Sequence, residues 1–169
     1  MGVMENVKNS MSQLESHQLL STIHHYPVIG WREWVSLPEL RIPRMKAKID
    51  TGARTSALHA FALQPFTENK INKIRFSIHP LQHNDQIVIH CVANIIDKRI
   101  VTDSGGHTEE RYVIKTPLTL GGQTWPIEIT LTERENMLFR MLIGRKALRR
   151  HFLIHPARSF VTSKQVGEK

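Results

Sequence analysis

The strongest constraint on the fold is a hydrophobic period of two, repeated in short runs along most of the chain. "KIRFSIH" sets Ile74, Phe76 and Ile78 against Arg75, Ser77 and His79, the pattern of a strand with one buried face. "TWPIEITLT" does the same with Trp125, Ile127, Ile129 and Leu131. "QIVIHCVANI" puts Ile87, Ile89 and Cys91 on one side after a turn-like His-Asn-Asp. "VIGWREWVSLPEL" and "RMKAKID" read as two strands joined by a Pro-containing loop, with Trp31 and Trp34 as expected core anchors. "RIVTD" runs into Ser104-Gly105-Gly106, and "RYVIKTPLTL" runs into Gly121-Gly122. Both glycine pairs are expected as hairpin turns. Strands at this spacing predict an all-β sandwich or closed barrel. One short helix is expected near the C-terminus, "RKALRRHF" after Gly144.

A chain of 169 residues suits one domain that buries its own core. Residues 1–26 are polar without a clear apolar period, and read as a poorly ordered leader holding at most one short helix around Leu14 to Ile23. No apolar run has the length of a membrane span or a signal h-region. Cys91 is the single cysteine, which excludes an internal disulfide framework and makes a cytoplasmic setting the expectation. Net charge is +8, favouring an anionic partner. "RMLIGRKALRRHF" concentrates Arg140, Arg145, Lys146, Arg149 and Arg150. With only Phe139 and Phe152 nearby, it reads as a solvated helix face rather than a nucleic-acid site.

Several chemistries lack their motifs. Neither His-Glu-x-x-His nor Gly-x-Ser-x-Gly occurs. His79 and His83 are four apart but flank turn residues, so the ten histidines read as scattered surface groups and no metal is expected. Cys91 lies mid-strand and reads as inert core. The remaining candidate is Asp50 in "KIDTGARTSALHA". Asp and Gly are poor strand formers. The triplet is therefore either a plain turn or a reactive carboxylate on a loop that Gly52 permits.

I-D-T-G-A at 49–53, followed after a β-rich stretch by L-I-G-R-x-x-L at 142–148, resembles the paired signature of retropepsin-like aspartic peptidases. "GWREWVSLPEL", "SGGHTEERYVIKT", "IEITLTERENMLFRMLIGRKAL" and "FLIHPARSF" are similar to the bacterial family linked to the RimK glutamate ligase, whose members also carry the label ATP-dependent zinc protease. The likeness runs from about Gly30 to Phe160. It implies a peptidase domain over 27–162, with 163–169 as a C-terminal tail. It also implies a catalytic Asp50, with Thr51 and Gly52 shaping its loop. A dyad needs two carboxylates, so a homodimer contributing one Asp50 from each protomer is implied, with neither metal nor cofactor. Leu142, Ile143 and Gly144 would pack behind the loop, and Arg145 would anchor the helix start. Ser104, Gly105 and Gly106 would form a glycine-rich flap over the substrate.

This chain departs from the viral pattern at Arg54, where an acidic residue is common. Arg145 thereby loses a partner and the substrate groove gains a cation, which points to acidic peptide substrates such as glutamate tails on a ribosomal protein. His155 in "HPARSF" also stands where an acidic residue is expected. Three alternatives belong to other classes. They are a zinc-dependent peptidase, a catalytically silent module docking a ligase or ribosome through Arg140 to Arg150, and a monomeric enzyme drawing a second carboxylate from Glu109, Glu110 or Glu133.

Overall fold

A computed structural model describes residues 12–21 and 25–165. The rest of the expected leader (1–11 and 22–24, with Ile23) and the tail's 166–169 lie outside the described residues. A solvent-exposed helix over 12–21, α1, falls where the short leader helix was expected. Ten strands follow: β1 (Val28–Leu37), β2 (Ile42–Asp50), β3 (Ser56–His59), β4 (Phe61–Glu68), β5 (Ile71–Ile78), β6 (Ile89–Thr102), β7 (Thr108–Leu120), β8 (Gln123–Thr132), β9 (Met141–Gly144) and β10 (Leu153–Ser159). Their order across the sheet is β10-β1-β2-β9-β3-β8-β7-β6-β5-β4. A further bridge, Ser36 against Thr119, joins β1 to β7, so that β1, β2, β9, β3, β8 and β7 form a closed ring. Beyond α1 the described residues are all-β with one short α-helix, α2 (Arg145–Leu148), between β9 and β10.

Alternation explains which residues fill the ring. Met45, Ala47 and Ile49 of β2 point inward, as do Ile127, Ile129 and Leu131 of β8. They meet Ile29, Leu37, Leu58, Leu118 and Ile143 in one continuous apolar core. Both glycine pairs do form hairpin turns. Gly121 and Gly122 take φ of +59° and +77°, the left-handed backbone that a two-residue β-turn needs and that glycine adopts without penalty.

Four details differ from the sequence expectation. β6 is one strand covering both "HCVANI" and "RIVT", pairing with β5 through Asn94 and with β7 from Ile95, with a register shift between Ile95 and Asp97. Ile87 precedes it and is exposed. The helix after Gly144 is a single turn, closed by Arg149 at its C-cap, with Arg150 beyond it at φ +64°. Neither early tryptophan is in the core. Trp34 lies outward, with the Arg44 guanidinium 3.9 Å from its ring centroid and Phe160 beside it. Trp31 meets Phe139 edge to face at 5.9 Å.

Glu33 replaces an aromatic as the buried anchor of this region. It is fully buried, and its carboxylate accepts from Gly30 N–H at 2.7 Å, Val161 N–H at 2.8 Å, and Thr162 N–H and O–H at 3.3 and 2.9 Å. A buried carboxylate survives when its oxygens are saturated by donors. Here those donors fasten the segment after β10 to β1. Glu33→Ala leaves several buried N–H groups unpaired, so a loss of about 3 kcal/mol is expected in urea denaturation. Limited proteolysis should then cut near residue 160 first.

Candidate active site

Asp50 is the last residue of β2, and its side chain shares the outward face of that strand with Lys46 and Lys48. β2 runs parallel to β9, with Lys48 opposite Leu142, Ile49 opposite Ile143 and Asp50 opposite Gly144. The two halves of the motif, ninety-odd residues apart in sequence, thus end side by side. The loop from Thr51 to Thr55 folds back over Gly144. Arg145 N–H donates to the Ala53 carbonyl at 2.9 Å, and Lys146 N–H to the Arg54 carbonyl at 3.0 Å. These bonds satisfy amides at the start of α2 that no helical carbonyl reaches. Gly144 N–H donates to the Ser56 hydroxyl at 3.1 Å.

That seating explains the motif's second glycine. A Cβ on Gly144 would stand 2.6 Å from the Thr55 carbonyl carbon and 2.9 Å from the Arg54 oxygen, both backbone atoms. Gly52 has a different reason. Its φ is not left-handed, but a Cβ there would stand 3.3 Å from Asp50 Oδ1. That same oxygen accepts from Gly52 N–H at 3.1 Å. Among the described residues Oδ2 has no hydrogen-bond partner, and Asp50 is half-buried, so one carboxylate oxygen is held and the other faces outward.

Arg145 donates from Nη1 to the Thr51 carbonyl at 2.7 Å, and so takes the loop backbone as its partner in place of an acidic side chain. Arg54 is exposed, and among the described residues its guanidinium makes no ion pair or hydrogen bond. Ser104, Gly105 and Gly106 are exposed at the tip of the β6–β7 hairpin. Asp103 organises that tip by accepting from Gly105 N–H and His107 N–H at 2.9 Å each, and from Arg134 Nη1 at 2.9 Å. These donors, His107 N–H foremost, hold its carboxyl below the usual range.

Arg134 leads to a feature that sequence reasoning missed. A cavity of about 320 Å³ lies between the outward faces of β2, β9 and β3 and the segment 133–140, with Trp31, Lys48, Leu142, Phe139, Arg111 and Arg134 in its walls. Lys48 lies two residues before Asp50 on the same strand face, so the spacing in "KAKID" was the available signal. A larger cavity of about 480 Å³, beside Phe66 and Tyr112 on β4 to β7, holds no residue of β2 or β9. The 133–140 segment is pinned by Gln82 Nε2 on the Leu138 carbonyl at 2.7 Å and by the Arg140–Asp85 ion pair at 2.6 Å.

His59 sits under the same segment. Its N–H donates to the Arg140 carbonyl at 2.8 Å, while its ring is buried and Nδ1 has no partner. Burial, then the Arg140 charge, lower its pKa from 6.5. The other histidines are dispersed, with His79 stacked on Phe61, His151 on Trp125 and His90 bonded to Ser77. Among the described residues no three His, Cys, Asp or Glu side chains form a metal-binding group.

Four residues of the basic string, Arg145, Lys146, Arg149 and Arg150, are exposed, as a solvated face requires, while Arg140 is mostly covered and paired with Asp85. Within that face Arg145 holds the Thr51 carbonyl and Lys146 pairs with Glu128.

Two outcomes are expected. Gly144→Ala must push the 51–55 loop off β9, costing about 1–3 kcal/mol by chemical denaturation, with loss of whatever activity Asp50 supports. For His59, the unfolded chain takes up a proton near pH 6.5 while the folded one resists it. The unfolded state therefore binds more protons as pH falls through that value, and stability drops. The urea midpoint should be lower at pH 5 than at pH 7.5, and His59→Gln should flatten that slope.

Residues 28–165 match the family described as "Retropepsin-like aspartic endopeptidase RimB". A probable alpha-L-glutamate ligase of Shewanella pealeana is 40% identical over 142 residues, covering 84% of this chain and 30% of the relative. One from Desulfotalea psychrophila is 45% identical over 130 residues, 77% of this chain and 28% of that one. The chain thus spans under a third of the length of these relatives. The crystal structure of Lpg0085 from Legionella pneumophila, a protein of unknown function, superposes with a TM-score of 0.68 at 24% identity, over 80% of this chain and 98% of that one. This likeness concerns the fold. With the Asp-Thr-Gly loop seated on the Gly144 turn across most of the matched length, the chain belongs to the RimB-like family of retropepsin-like aspartic endopeptidases.

Proposed function

We propose that this protein is an aspartic endopeptidase acting on acidic protein tails, with Asp50 as the catalytic carboxylate. The observation that carries the reading is the state of Asp50, on a fastened loop at a strand end, with one oxygen bonded to Gly52 N–H and the other turned outward. One carboxylate cannot be acid and base in the same step. Two held close together share a proton, because both cannot ionise comfortably. The ionised member takes a proton from water as that water attacks the peptide carbonyl, and the protonated member donates to the carbonyl oxygen. No covalent intermediate with the protein is needed.

The second carboxylate comes from a second copy of the chain across a two-fold axis. Of the same chain's candidates, Glu109 is occupied by Arg111 and Thr132 and Glu110 by Lys98, which leaves Glu133 to be tested by substitution. Thr51 and Gly52 would then meet their symmetry mates, and the 104–106 tip would cover the bound peptide. Arg54 and the +8 net charge favour an anionic substrate. The relatives' name supports glutamate-rich chains, since a ligase that adds glutamate makes the polymer a peptidase of this kind would trim. A functional link to a RimK-type ligase and to the ribosome follows from that pairing. Buried Cys91, its thiol pushed up to about 11 by burial, is compatible with a reducing cytoplasm.

Hydrolysis of a glutamate-rich peptide tests the reading directly. Asp50→Asn is expected to lower kcat by about 10²–10⁴-fold. Chelator should leave the wild-type rate unchanged, and specific activity should rise with protein concentration as dimer forms. Chelator-sensitive cleavage that persists in Asp50→Asn would instead assign the chemistry to a metal.

A further inference from the structure

The cavity that Lys48 borders, two residues before Asp50 on the same strand face, has a composition that the peptidase reading leaves unused. Its walls are apolar on one side, where Trp31, Phe139 and Leu142 converge. Three cations also line it, and they are not equivalent. Arg111 is buried and paired with Glu109 at 2.8 Å. Arg134 is committed to Asp103 at 2.9 Å. Among the described residues Lys48 has no ion pair or hydrogen bond, and it is exposed at the cavity's edge.

We propose that this cavity is a side-chain subsite for one acidic residue of the peptide, with Lys48 as the residue that selects it. The inference rests on the reading of Asp50 as the catalytic group and names the determinant of its substrate preference. Lys48 and Asp50 alternate onto one face of β2, about 6.6 Å apart along the strand. Extended peptide places side chains of one face at that same interval. A peptide lying along the strand end with its reactive carbonyl at Asp50 therefore drops a nearby side chain into the cavity. An acidic side chain with a methylene stem fits both halves of the lining. The stem meets the indole of Trp31 and the Leu142 side chain, and the carboxylate meets the ammonium. An aliphatic side chain fills the same volume but gives the ammonium no acceptor, and an amide gives it an oxygen without the opposing charge. Lys48 can rotate to a bound carboxylate without breaking any existing pair, whereas Arg111 and Arg134 would each have to abandon one.

This chain's preference for acidic substrates was first inferred from Arg54, which lies on the loop beyond Asp50 and is not in the wall of this cavity. Lys48 lies on the opposite side of Asp50 in the chain. The two cations therefore act at different substrate positions, and a positional experiment separates them.

The experiment measures binding of a fluorescent glutamate peptide to full-length Asp50→Asn protein, by anisotropy, with each Glu replaced singly by Gln. At one position the replacement should weaken binding about tenfold or more, the range of a charge-assisted hydrogen bond. Adding Lys48→Met, which keeps the stem and removes the charge, should abolish the penalty at that position and preserve the others. Trp31→Ala should weaken Glu and Gln peptides by similar factors. An even loss across all positions in Lys48→Met, or no loss, or no measurable binding at all, overturns the proposal. Wild-type hydrolysis of the same peptide reports on the peptidase reading separately. Position-specific binding without any Asp50-dependent cleavage would sink that reading and leave the subsite standing. Cleavage with no Lys48 signature would do the reverse.

Discussion

The rest of the site depends on one parallel pairing, the last rung of β2 against the last rung of β9, where Asp50 faces Gly144. Parallel neighbours cannot be joined by a tight turn, so a long connection must separate them. Here that connection carries β3 to β8, of which β3, β7 and β8 make up half of the ring. The carboxylate loop therefore has its seat only once the ring has closed. Before then the carbonyls of Ala53 and Arg54 lack the amides of Arg145 and Lys146, and Thr51 lacks its guanidinium. This arrangement couples the reactive group's position to the whole fold rather than to its local sequence.

Two glycines with the same letter do different work in that pairing. Gly144 is required because backbone passes where its side chain would be. At Gly52 the conflict is milder, a tight 3.3 Å contact between an added Cβ and the Asp50 Oδ1 that its N–H holds. Neither case is a matter of left-handed backbone, which is the usual first explanation of a glycine beside an aspartate. Among the described residues the left-handed glycines are Gly106, Gly121 and Gly122, all in hairpin turns. Close approach and turn geometry are thus divided between separate residues. A substitution at Gly144 should act through packing, whereas one at Gly121 should act through strain as well as its contact with Phe152.

Strand identity was legible where one face is buried and the other wet, as in β5 and β8, because alternation survives translation into letters. It was illegible where burial is complete or absent. β3 is buried at every position, Ser56 to His59, and so shows no period at all. β4 is an edge strand carrying Pro65, with little of it buried, and looks like loop for the opposite reason. The two tryptophans misled because large apolar area was taken as a sign of core. Trp34 is instead covered by cationic stems of Arg44 and Lys46, a contact that hydrophobicity does not register. At the site, residues on either side of the turn could be named, since the motif gathers them. The cavity could not, because its walls come from β1, β2, β3, β7, β8, β9 and the 133–140 segment.

Charge placement brings these levels together. Most carboxylates on the ring's outer surface are already matched. Glu128 holds both Arg99 and Lys146, Glu109 holds Arg111, Asp103 holds Arg134, and Asp85 holds Arg140. Exposed pairs of this sort add little to stability. Their larger effect is to fix which cations stay available. Around Asp50 the unmatched ones are Lys48, one step back along β2, and Arg54, four residues ahead on the loop. A surplus of +8 spread evenly would draw any anion to any face. Exposed cations without an ion pair, Arg149 and Arg150 among them, occur elsewhere too, but Lys48 and Arg54 flank the carboxylate itself and direct the local attraction along a line through Asp50. An extended acidic peptide is the ligand whose shape follows that line.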